Sequence, residues 1–178
     1  MRRIALAFGA LLAAAALSSA ALSDPARPLL GPMIETLEVG VFCALQTMDQ
    51  MPAPGTVSGW IHVPEGEIDF HWSGRQVVPA ALGLAFGVKA RLAPGVSVAN
   101  GQMRVYRPNS NAPEVWASSF SDLEDSLAFF RFDHDHELIQ GTWRFEAWDG
   151  ENQLYAVTFE VVPSAALPEI VEACGAVS

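Results

Sequence analysis

Trp143-Arg144-Phe145-Glu146-Ala147-Trp148-Asp149-Gly150-Glu151-Asn152-Gln153-Leu154-Tyr155-Ala156-Val157-Thr158-Phe159-Glu160-Val161 is the stretch that decides the fold. Trp143, Phe145 and Ala147 fall on one side of an extended chain, and Thr142, Arg144 and Glu146 on the other. Tyr155, Val157, Phe159 and Val161 repeat the alternation after Asp149-Gly150-Glu151-Asn152. Successive side chains of a strand point to opposite faces, so a period of two marks a strand with one face on a core. Asp-Gly between two such runs signals a hairpin, here with a loop longer than two residues. The closing hairpin is expected over 139–162.

The same period recurs upstream. Leu84, Phe86, Val88, Ala90 and Leu92 share a face opposite Ala85, Gly87, Lys89 and Arg91, and Leu37, Val39, Val41 and Cys43 alternate likewise. Shorter strand candidates lie at 59–63, 67–72, 102–106 and 128–132. Turn signals separate them: Pro52-Ala53-Pro54-Gly55, Pro64-Glu65-Gly66, Pro94-Gly95 and residues 108–113. Seven or eight short strands punctuated this way predict an all-β, antiparallel immunoglobulin-like β-sandwich. Helical turns are expected at two places. Ser121-Asp122-Leu123-Glu124 has the form of a capping box, and 167–173 is followed by Gly175. There is no internal repeat and no sign of a second domain.

The N-terminus points to export. Arg2 and Arg3 precede an uncharged apolar run at 4–17, and small residues follow at Ser18, Ser19, Ala20, Ala21 and Ser23. This is the pattern of a secretory signal peptide over 1–23, with cleavage expected after Ala20 or Ser23. The run is shorter than the roughly 20 residues of a membrane span. Lipid attachment would need a cysteine at the cleavage site, and the first is Cys43. Residues 24–33 read as a flexible leader, and 34–178 as a single sandwich domain with a C-terminal tail. The expected location is the periplasm or the extracellular space, with no membrane insertion.

Removing 1–23 takes away two of the ten basic residues and none of the 20 acids, moving the net charge from −10 to −12. Nucleic acid and anionic lipid are held mainly through Lys and Arg, so a chain this acidic is not expected to bind nucleic acid. The two cysteines, Cys43 and Cys174, are an even count in an oxidising compartment, which favours a disulfide. No Cys-x-x-Cys redox pair is present. The bridge would close a loop of about 130 residues, and loop-closure entropy gives it about 4–5 kcal/mol.

Val78-Pro79-Ala80-Ala81-Leu82-Gly83-Leu84-Ala85-Phe86-Gly87 and Leu138-Ile139-Gln140-Gly141-Thr142-Trp143 also carry a family likeness. Together with the last hairpin, they resemble the bacterial domain-of-unknown-function family numbered 3859 over about 34–162. The resemblance implies no activity and no catalytic residues, because that family has none assigned. Its glycines have a structural reading in any case: Gly83 and Gly87 inside a strand imply a bulge or a close backbone approach.

Three groups of residues are candidates for chemistry. The first is Asp133-His134-Asp135-His136-Glu137. If this run is extended, His134 and His136 share a face, and with Asp135 they could take one Zn or Cu ion. Against that, a hairpin loop between an aromatic strand and the 141–143 strand must be polar anyway, and nothing in the sequence brings His62 or His71 to it. The second group is aromatic. Trp72 and Trp148 are the candidates for an exposed ligand platform, while aromatics covering the ends of a sandwich core are the commoner arrangement. Third, acid pairs such as Glu65 with Glu67, or Asp122 with Glu124 and Asp125, could flank a glycosidic bond. Acids are so frequent here that a solvated surface explains them. No nucleophile elbow, His-Glu-x-x-His helix or phosphate-cradling loop occurs. The sequence reading is therefore a non-catalytic binding or accessory domain without cofactors, acting on another envelope protein or a small ligand. Metal binding by the 133–137 loop is the alternative.

Overall fold

The computed structural model describes residues 24–175, so the expected signal peptide at 1–23 lies outside the described residues. The strands in chain order are β1 (Leu29–Leu30), β2 (Ile34–Cys43), β3 (Met48–Pro52), β4 (Trp60–Pro64), β5 (Trp72–Ser73) and β6 (Val77–Ala80). They continue with β7 (Leu84–Leu92), β8 (Ser97–Tyr106), β9 (Glu114–Ser121), β10 (Ser126–Arg131), β11 (Gly141–Asp149) and β12 (Asn152–Pro163). A short helix, α1 (Pro168–Ala173), ends the described chain.

Two sheets face each other. One has the order β1-β12-β11-β8-β9, with β6 running parallel to β12; the other has the order β10-β7-β2-β5. The chain crosses between them from β1 to β2, from β5 to β6, from β6 to β7, from β7 to β8, from β9 to β10 and from β10 to β11. Those crossings, between a six-stranded and a four-stranded sheet, are the connectivity of an immunoglobulin-like sandwich. The expected fold class is the observed one. β3 and β4 form a separate two-stranded sheet.

The alternating faces meet in the core as their period requires. Phe86 of β7 packs its ring 5.6 Å from Trp143, 5.7 Å from Phe145 and 5.1 Å from Phe159. Fully burying one such side chain is worth about 1.5–3 kcal/mol, and a dozen large ones are sealed from solvent here. Tyr155 is among them, and its hydroxyl donates to Met103 Sδ at 3.4 Å. Burial holds the Tyr155 phenol well above its ordinary pKa.

Several expectations need correction. The outer face of β7 is not wholly solvated, because Ala85 is buried in a second cluster with Phe42, Ile68 and Phe70. The expected strand at 67–72 is mostly a covering loop: Ile68 and Phe70 anchor it by burial, and only Trp72–Ser73 pair, with β2. Ser121 does accept from the Leu123 and Glu124 amides at 3.3 and 3.4 Å, as a cap should. No helix follows, since the chain turns at once into β10, whose six-residue ladder with β7 starts at Ser126. The stretch read as a leader contributes β1, which pairs with Ala156 and Tyr155 of β12.

At the other end the sequence reading holds. Pro168 opens α1 in its first turn, Ile170 is buried beneath it, and Cys174 is bonded to Cys43 at the end of β2, with their Cα atoms 5.2 Å apart.

The cleft beneath the β3–β4 hairpin, a candidate binding site

β10 and β9 are the last strands of their sheets, and the β3–β4 hairpin lies over the seam between them. Two anchors hold it. The first is the loop joining β3 to β4. Gly55 O accepts from the Val115 amide at 3.0 Å, and the Val57 amide donates to Glu114 Oε2 at 3.0 Å. A Cβ on Gly55 would collide with Val115 O, so this approach demands glycine.

The second anchor follows from the period of β4. Trp60 and His62 project from one face of the strand, with the rings edge-on at 4.6 Å. His62 Nε2 meets Asp133 Oδ2 at 2.7 Å, and the ring stacks on Phe129 at 6.2 Å. Asp133 Oδ1 is 2.6 Å from Arg131 Nε. Arg131 also donates to Gln46 O at 3.2 Å, tying the segment before β3 to β10. Across the cleft, Arg107 and Glu114 form a second ion pair, both largely buried. The Arg107 guanidinium lies over Phe130 at 4.7 Å and Trp143 at 5.4 Å, a stacking geometry that suits arginine.

Beneath the hairpin these groups enclose a notch of about 60 Å³, walled by Trp60, Trp116, Phe129 and Phe130. It adjoins a shallow groove of about 500 Å³ that runs past Met48 and Gln50 to His134. Trp60, His62, Arg131 and Asp133 line both. His62 Nδ1 is buried there, with no hydrogen-bond partner among the described residues.

An Asp–His pair is the orienting half of a hydrolytic triad, whose base must present its other nitrogen to a nucleophile. Nδ1 has no such partner, and the nearby Ser58 and Thr56 hydroxyls are spent on the carbonyls of Trp60 and Ala53, each at 2.8 Å. Both oxygens of Asp133 and of Glu114 are likewise engaged.

The residues singled out from sequence sit elsewhere or are differently arranged. The 133–137 run is not extended: Asp135–Glu137 is a 3-10 turn. Its cause is Glu137, whose Oε2 accepts from the amides of Asp133 and His134 at 2.7 and 2.9 Å and folds the run back on itself. His134 and His136 stack face to face at 5.4 Å. Neither Asp135 nor any other acid completes a metal set with them, and no group of three or more His, Cys, Asp or Glu is placed to hold a metal among the described residues.

Trp72 and Trp148 belong to opposite sheets and make no common platform. Trp72 packs against the core. Trp148 donates to Glu146 Oε2 at 2.9 Å and carries the Arg104 guanidinium on its ring. Of the acid pairs, Asp122 accepts from the Gly95 amide and Asp125 pairs with Arg91, while Glu65 and Glu67 are exposed on the loop after β4.

Arg107 and Glu114 were not singled out from sequence, Trp60 and Trp116 were not among the platform candidates, and His62, which nothing in the sequence brought to the 133–137 run, meets Asp133. Their signal was Trp60-x-His62 at strand spacing and Arg107 and Glu114 flanking a proline-bounded turn.

No family model and no curated protein matches the chain. Among solved structures, an immunoglobulin-like protein from Pseudomonas aeruginosa is similar, with 16% identity over 77% of this chain and 98% of that one, at a TM-score of 0.45. A CARDB domain from Pyrococcus furiosus, solved in complex with di-metal ions, has 17% identity over 75% of this chain and 93% of that one, at a TM-score of 0.35.

Proposed function

We propose that this chain is a non-catalytic accessory domain of the periplasm or extracellular space that binds a small ligand in the cleft beneath the β3–β4 hairpin. The observation that carries this reading is the cleft itself. An aromatic-walled notch that opens into a shallow groove of about 500 Å³, with a few convergent polar groups, has the make-up of a small-molecule site. Two atoms of its lining residues, His62 Nδ1 and Arg131 Nε, are buried without a hydrogen-bond partner among the described residues. The non-catalytic part is supported by the engagement of every nearby carboxylate and hydroxyl inside the protein. Export is supported by the signal-like residues 1–23 and by the disulfide. No helix among the described residues is long and apolar enough to cross a membrane. Membership of the family numbered 3859 belongs to the same proposal. Its likeness falls on β6, β7 and the start of β11, which build the core and not the cleft.

Ligand-observed NMR with a library of uncharged, anionic and cationic fragments tests the reading. Fragments that compete for one site and lose binding in Trp60→Ala and Trp116→Leu are the expected result. Fragment binding indifferent to both substitutions, or no binding at all, would contradict it.

A further inference from the structure

We infer that the ligand class of the cleft is an uncharged saccharide, held with one ring edge in the notch and its apolar face along Trp60. This rests on the cleft being the binding site and goes beyond it by fixing the chemistry of the occupant.

Charge excludes ionic ligands. The ionic groups lining the notch are paired in charge: Arg107 with Glu114, and Asp133 with both Arg131 and His62, the buried Arg131 Nε lying 2.6 Å from Asp133 Oδ1 without the alignment of a hydrogen bond. Glu137 is bonded to two backbone amides. An anionic ligand would meet Glu114, Asp133 and Glu137 as closely as the guanidiniums, and a cationic one would face the reverse. Either would lose its hydration without a net electrostatic gain. The whole-molecule charge of −10 adds a long-range penalty against polyanions.

Hydrogen bonding favours hydroxyls. Nε2 of His62 is committed to Asp133, which leaves buried Nδ1 as a polar atom with no partner among the described residues. The guanidinium N–H groups of Arg107 and Arg131 outside their ion pairs are donors, and the carboxylates of Glu114, Asp133 and Glu137 beside them are acceptors. A hydroxyl supplies both functions from one atom, and a sugar carries several around a ring whose faces are C–H surfaces suited to indole.

Size sets how such a ring sits. A notch of about 60 Å³ holds on the order of two waters by liquid volume. It can admit a hydroxyl-bearing edge or a hydroxymethyl group, and the rest of the ring must lie in the adjoining groove of about 500 Å³. Trp60 lines both compartments and is the one indole able to follow a ring from one into the other.

The experiment is calorimetric titration of the purified protein with three neutral oligosaccharide series: β-1,4-linked glucose, α-1,4-linked glucose and β-1,4-linked N-acetylglucosamine. Oligogalacturonate and the de-acetylated glucosamine series are the charged comparators, and triglycine is the peptide control. The expected result is saturable binding of at least one neutral series, at least about tenfold tighter than any charged one (~1.4 kcal/mol). Trp60→Ala should weaken it by about tenfold or more, and Trp148→Phe, outside the cleft, should leave it unchanged. The charge comparison uses the unmodified protein and does not depend on how any variant folds. Tighter binding of a charged series, or of triglycine, overturns the inference. If fragments occupy the cleft while all neutral saccharides fail, the ligand class falls and the cleft stands. If fragments fail as well, both fall.

Discussion

His62 holds the β3–β4 hairpin to the sandwich and lines the cleft with the same ring. Its Nε2 bond to Asp133 is largely shielded from water, so its removal should be felt. His62→Ala is expected to lower stability by about 1–2 kcal/mol, read from the denaturation midpoint, with no change in denaturant slope.

Tyr155 gives a second prediction at this scale. Its pKa is raised in the folded state by burial, so above the ordinary value of 10.0 the unfolded chain releases a proton that the folded chain keeps. The folded state then binds more protons than the unfolded one. Stability must therefore fall with rising pH above about 10, approaching about 1.4 kcal/mol per pH unit from this residue. Tyr155→Phe should flatten that alkaline slope in pH-dependent melting, and an unchanged slope would place its cause elsewhere.

Single residues were legible in sequence only when local pattern fixed their surroundings. Trp143 on the core face and Cys43 opposite Cys174 were. His62 beside Asp133, 71 positions apart, was not, because no periodicity records which loops meet.

Among the elements, the hairpin is the least integrated. β3 and β4 pair only with each other, whereas β11 lies between β12 and β8. Backbone amides open with free energies that follow local burial and pairing. Hydrogen exchange in β3 and β4 is therefore expected to be faster than in β7, β11 and β12, and equal protection would show that the hairpin is part of the core unit. Gly55→Ala should detach the loop from β9 and shift tryptophan emission to the red as Trp60 meets water, while the melting temperature of the sandwich changes little.

β7, β11 and β12 could be read directly, since strict alternation and a core on one side are the same fact. Met48-Asp49-Gln50-Met51-Pro52 has no clean alternation, so β3 was invisible. The stretch 67–72 misled for the opposite reason: Ile68 and Phe70 are spaced like a strand because they plug a surface, without a ladder to join.

For the molecule as a whole, the Cys43–Cys174 bridge ties the end of β2 to the end of the described chain across a sequence separation of 131. Loop-closure entropy puts its contribution at about 5 kcal/mol. Cys43→Ala/Cys174→Ala should show a loss of that order in chemical denaturation, and a loss below about 1 kcal/mol would mean that α1 docks without it. The sandwich, its crossings between sheets and the bridge were within reach of the sequence because each rests on local period or on cysteine count. The cleft was not, since it is made where a hairpin from one part of the chain covers a seam between two others.

The central claim is that the cleft under that hairpin is the binding site, and the five tryptophans are its natural reporters. Indole N–H resonances of the ¹⁵N-labelled protein, followed during titration with the neutral oligosaccharides and the bound fragments, separate the alternatives. Trp60 and Trp116 are expected to shift saturably while Trp72, Trp143 and Trp148 stay in place. Shifts confined to Trp72 or Trp148, with Trp60 and Trp116 unmoved, would contradict it.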